Sequence, residues 1–186
     1  LTVPKQAYPD GITVLSPIET WSDDFSMAIA GIPSTVNDFS AGPFMQNYYH
    51  SQYDNQDVYQ EAVYQFHHEC YLKLVMAIDA LVLPPLNFSN TMKAVTDSIH
   101  ENALSFADSE QETLLQNLRT ATESARNIYK KICQINEEYA TLSDSAFRRN
   151  FRSKWEPVGL KLLKIFRKAQ DYLVRLNWQD EVIFPQ

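Results

Sequence analysis

Residues 118 to 142 read LRTATESARNIYKKICQINEEYATL, and this stretch decides the fold class. Leu118, Ala121, Ala125, Ile128, Ile132, Ile135, Tyr139 and Leu142 alternate steps of three and four residues from end to end. An α-helix turns once in about 3.6 residues, so these steps put every one of those side chains on one face, in heptad packing. Ser109 with Glu112 forms a capping box ahead of it, giving an expected helix over 110–142.

Working outward, Ser143-Asp144 opens a further helix over 144–177. Phe147, Phe151, Trp155, Val158, Leu162, Ile165, Ala169, Tyr172 and Leu176 are expected on its buried face, with Pro157 bending it. On the other side, a helix over 90–108 carries Met92, Val95, Ile99, Ala103 and Phe106. Before it, Tyr59, Val63, Phe66, Cys70, Leu74, Ala77 and Leu81 mark a long helix over 55–83, ended by Pro84-Pro85. No segment reads as a strand. The expectation is an all-α chain, an up-down four-helix bundle over 55–186. Residues 1–54 hold three of the four glycines and five of the nine prolines. They read as an irregular arm packed on that body within a single domain. Inside the arm Ser16-Pro17-Ile18-Glu19 starts a short helix that stops at Gly31.

The composition narrows the functional classes. At 186 residues, 45% hydrophobic and 21% charged, the chain is an ordinary folded one, not a collagen, a low-complexity tract or a disulfide-stapled miniprotein. The longest apolar run, Leu72 to Leu86, is interrupted by Lys73, Asp79, Pro84 and Pro85, short of the roughly 20 residues a bilayer crossing takes. The chain is therefore not expected to be transmembrane. Asn87-Phe88-Ser89 is a glycosylation sequon beside Pro84-Pro85, which suits a secreted, extracellular glycoprotein. Cys70 and Cys133 allow one intrachain bridge, an interchain bridge or two free thiols. An up-and-down count at about 1.5 Å per residue sets them at different heights, which weighs against the first.

Catalytic patterns are missing. His67-His68-Glu69-Cys70 are consecutive on a helix and point about 100° apart, so they do not converge on one ion. Asp97 and His100 make half of a di-metal pair whose second half is absent. There is no Gly-x-Ser-x-Gly elbow and no glycine-rich phosphate loop. No enzyme activity, metal or cofactor is expected.

Charge gives the strongest pattern. Residues 148–175 carry nine of the sixteen basic residues against Glu156 and Asp171, a local +7 within a chain of net −7. Lys161, Lys164, Lys168 and Arg175 fall close to one line, with Arg148 and Arg152 nearer the start of the same helix. Such a stripe is a docking surface for a protein partner or receptor, or for an anionic glycan. The competing reading is internal neutralisation by acidic residues such as Glu101, Asp108, Glu110, Glu112 and Glu123. Nucleic acid is not expected, because the acidic remainder repels phosphate. The body resembles, in outline only, the secreted helical signalling bundles of cytokine type. The leading expectation is a secreted, non-enzymatic protein that binds a partner through an exposed helix face. The alternative is a carrier of a hydrophobic small molecule or lipid, with Tyr59, Phe66, Phe151 and Trp155 lining a cavity.

Overall fold

The computed structural model describes residues 2–13, 23–35, 44–97, 99, 108–173, 175–177 and 181–183. These contain six helices: α1 (Asp23–Ile29), α2 (Phe44–Asn47), α3 (Glu61–Asp79), α4 (Phe88–Asp97), α5 (Asp108–Thr141) and α6 (Ser145–Leu173). A 3₁₀ turn spans Gln56–Val58. Past α6, β1 (Arg175–Asn177) pairs antiparallel with β2 (Glu181–Ile183), Leu176 opposite Val182. Helix was expected as far as 177. The β-branched Val182 and Ile183 and the pairing of Leu176 favour an extended backbone there instead. The helix-start signal at Ser16–Glu19, Phe39, and the later part of the expected 90–108 helix lie outside the described residues.

The chain divides into two compact units, one of residues 1–16 with 36–80 and one of 17–35 with 81–186. α3, expected to open a four-helix bundle, belongs to the first, while α4, α5 and α6 belong to the second.

In the first unit the expected helix over 55–83 is shortened at both ends. The Asn55 side chain accepts from Asp57 N at 2.8 Å, a local turn that competes with α-helix, and Tyr59 and Gln60 are extended before α3 begins. At the other end Ala80 closes the helix, short of Pro84-Pro85. Phe66 is buried against Tyr8, ring centroids 5.6 Å apart, and the Tyr8 hydroxyl lies 3.1 Å from His67 Nε2. Within the described part of the aromatic segment, neighbouring rings meet one another. Phe44 meets Tyr48 and Tyr49, and Tyr49 stacks on His50, with Tyr49 and Tyr53 exposed.

The second unit is built around a strap. After α3, residues 81–87 are irregular, bending at Val82 and Leu83 and turning where Leu86 N bonds Pro84 O at 2.8 Å, and they lie between α5 and α6. Leu83 is 1% exposed and forms the core with Leu86, Ile132, Ile135 and Leu162. Val82, Phe88, Phe151, Trp155, Leu163 and Phe166 pack around it. The strap's backbone is satisfied by the buried side chain of Asn136. Its Oδ1 accepts from Val82 N (3.1 Å) and Leu83 N (2.9 Å), and its Nδ2 donates to Leu83 O (3.0 Å). One amide side chain thus does for the strap what a neighbouring strand does in a sheet. On α6 the strap passes over Gly159.

Local caps hold the rest. Asn87 Oδ1 accepts from Ser89 N and Oγ at 3.1 and 2.6 Å, capping α4. Gly31 closes α1 with φ +87°, and Ile32 N bonds Met27 O at 3.0 Å. A Cβ on Gly31 would stand 2.6 Å from Arg167 Cβ, so glycine also permits the close approach of α1 to α6.

Candidate functional site

α5 and α6 form a helical hairpin, and the basic stripe lies on its second arm. Asp144 starts α6, its carboxylate accepting from Ala146 N (2.7 Å) and Phe147 N (3.0 Å). The turn is fastened by Tyr139. Arg148 stacks over the Tyr139 ring at 4.3 Å and donates to Leu142 O at 3.0 Å. Arg152 donates to the Tyr139 hydroxyl from Nη2 at 3.2 Å. That hydrogen bond from Arg152, aided by Arg148 and by both positive charges, holds the phenol below its ordinary value, against the opposing effect of desolvation. Arg148 and Arg152, candidates for partner binding in the sequence, therefore have structural contacts within the hairpin.

Further along, the stripe is open. Lys161, Lys164 and Lys168 are exposed, and Lys154 lies with its ammonium 5.3 Å from the Trp155 ring. Among the described residues the ion pairs are Lys73–Glu69 on α3 and Lys93–Asp97 on α4, and neither involves the α6 lysines. Glu110, Glu112 and Glu123, expected to neutralise the stripe, are exposed and make no ion pair with it. Glu101 lies outside the described residues, and nothing is described of the Asp108 side chain or that of Arg175, which falls in β1.

Apolar side chains share this surface. The core takes Trp155, Leu162 and Phe166 from α6, and Phe151 packs beside them. Four others expected on the buried face are left out of it. Phe147 is 68% exposed and Tyr172 71%, while Val158 and Ile165 stay 37% and 38% exposed at the edge. The strap and α5 cover only the sector through Trp155, Gly159, Leu162 and Phe166, too narrow to reach the remaining row.

The aromatic residues proposed as a cavity lining fall in different settings. In the first unit Tyr59 is exposed, with its hydroxyl donating to Glu61 at 2.5 Å, and Phe66 is packed under Tyr8. In the second, Phe151 and Trp155 lie 6.2 Å apart in the core. Cys70 and Cys133 are free thiols, each half-buried. The Cys133 thiol, one turn along α5 from Tyr129, pushes that phenol up. Among the described residues no group of three or more His, Cys, Asp or Glu gathers at metal-binding range, and no helix is long and apolar enough to cross a membrane. Asn87 is half-buried with its Oδ1 engaged in the cap.

Two residues were missed from the sequence. Asn136 carried a signal, a polar side chain four residues from Ile132 and next to Ile135 on the heptad face. Tyr139 gave none, since its role depends on arginines across the turn. Searches of protein-family descriptions, of curated proteins and of solved structures return no match.

Proposed function

We propose that this chain is a non-enzymatic, secreted protein-binding module whose contact surface is the outer face of α6. The observation that carries this reading is the exposed run Lys161, Lys164 and Lys168, free of ion pairs among the described residues and bordered by exposed apolar side chains. A merely solvated helix face has no need of the apolar row, and an internally balanced one would pair its lysines. The sequon at Asn87 supports the extracellular setting.

The test replaces Ile165 with a photo-crosslinking amino acid and Glu123 on α5 with the same group as control. Protein from the native source is then offered. The expected result is one discrete protein adduct from position 165, competed by unlabelled chain, absent from position 123, and lost in the K161E/K164E/K168E variant at unchanged melting temperature. A large fall in melting temperature on that charge reversal would instead assign the lysines to internal pairing and overturn the reading.

A further inference from the structure

We propose that the α6 surface takes up an acidic amphipathic helix, an inference that rests on the protein-binding reading above. The exposed residues form two columns with a strict seven-residue repeat. One is Val158, Ile165 and Tyr172, in register with the core-packed Phe151 one heptad earlier; the other is Phe147, Lys154, Lys161 and Lys168. Read together along the helix they alternate steps of four and three, the spacing at which one helix meets another side by side. From Phe147 to Tyr172 the columns run about 38 Å at 1.5 Å per residue, room for a partner helix of three to four heptads.

The chemistry of the two columns selects among occupants. A bilayer surface takes helices that present a broad apolar face. On α6 that face is committed to the core through Trp155, Leu162 and Phe166, and outside it stand the row Val158, Ile165 and Tyr172 with Phe147 and the isolated Leu160, no broad apolar face. A sulphated glycan would pair with the lysines and leave Val158, Ile165 and Tyr172 in water. An acidic amphipathic helix satisfies both columns at once. Its apolar row covers Val158, Ile165 and Tyr172, and its carboxylates meet Lys154, Lys161 and Lys168, whose methylene stems cover the apolar surface between them. The local +7 of residues 148–175 supplies the attraction that brings an acidic partner in.

The probe is a synthetic 28-residue peptide of four identical heptads, with leucine at two positions of each seven and glutamate at the flanking positions. Its counterpart carries glutamine for each glutamate. Binding to the full chain is followed by fluorescence anisotropy, and helix content by circular dichroism. The glutamate peptide is expected to bind about tenfold or more tighter than the glutamine one, to gain helix on binding and to weaken with salt. K161E/K168E is expected to lower its affinity about tenfold or more, and I165D to lower it as well, both at unchanged melting temperature. Equal affinity for the two peptides overturns the inference. So does indifference to K161E/K168E, or a preference for heparin or phosphatidylserine vesicles over the glutamate peptide. A protein adduct at position 165 without glutamate-peptide binding overturns this inference and leaves the protein-binding reading standing; the absence of both overturns both.

Discussion

α3 and α5 carry apolar residues at the same helical spacing, yet their own units treat them differently. On α5 the stripe is largely covered: Ala125, Ile132, Ile135 and Tyr139 are buried, Ile128 alone among its members stays exposed, and the strap at Leu83 and Leu86 fills the space in front of Ile132 and Ile135. On α3 every residue from Tyr71 to Ala80 is exposed, and Leu72, Val75 and Met76 are all more than half so. Only Phe66, one turn earlier, is buried there. The difference teaches that a periodic stripe states what a helix can bury, while burial itself depends on a second surface whose polar backbone is also satisfied. α5 has such a surface because Asn136 makes the irregular strap tolerable in a dry interior.

The sharpest way to break this comparison is to truncate one leucine from each region. Leu83→Ala should destabilise by about 2–5 kcal/mol, since it empties the centre of a packed core. Leu72→Ala, at 61% exposure, should stay within about 0.5 kcal/mol. Urea unfolding midpoints for the two variants make the check, and equal effects would dissolve the distinction. Next in size is Asn136→Ala, expected to cost about 3 kcal/mol because it strands two strap N–H groups and one carbonyl away from water. Hydrogen exchange should show the amides of Val82 and Leu83 losing protection before those of α5. If they remain protected, the strap is held by apolar contact alone.

How far the sequence can be read follows from the same physics. The α5 stripe was legible because helical periodicity is a local property, and a run of eight residues in alternating steps leaves one geometric solution. The strap was not. Pro84-Pro85 announces that a helix must stop, but nothing local says where the released segment goes, and its anchor, Asn136, stands more than fifty positions away. On α6 the period placed Phe147, Val158, Ile165 and Tyr172 among the buried residues, and the structure leaves them outside. Periodicity fixes the direction of a face and not the width of what covers it. For the candidate site, the line of Lys161, Lys164 and Lys168 was readable from charge and spacing. The diversion of Arg148 and Arg152 onto Tyr139 was not, because it is created by the turn between two helices.

The smallest effect separates the two units by the ionisation of one tyrosine in each. Tyr59 donates to the Glu61 carboxylate, and that hydrogen bond, with lesser help from desolvation and nearby negative charge, pushes its phenol up to about 12. Tyr139 is pushed down by Arg152 and Arg148. The two shifts have opposite consequences for stability. A raised phenol favours the folded state below its unfolded value of about 10, and that contribution is lost as pH climbs toward 12. A lowered one contributes above about 10 and loses its contribution as pH falls through the folded value. Absorbance at 295 nm across pH 8 to 13 should therefore show Tyr139 among the first of the ten tyrosines to ionise and Tyr59 among the last. Tyr59→Phe should reduce the late amplitude by one tyrosine and leave the raised Tyr129 in place, and Arg152→Ala should move the early step upward without touching the late one. A titration in which Arg152→Ala shifts nothing would remove Tyr139 as the clasp of the α5–α6 turn, and with it the reason for setting Arg152 apart from the open lysines further along α6.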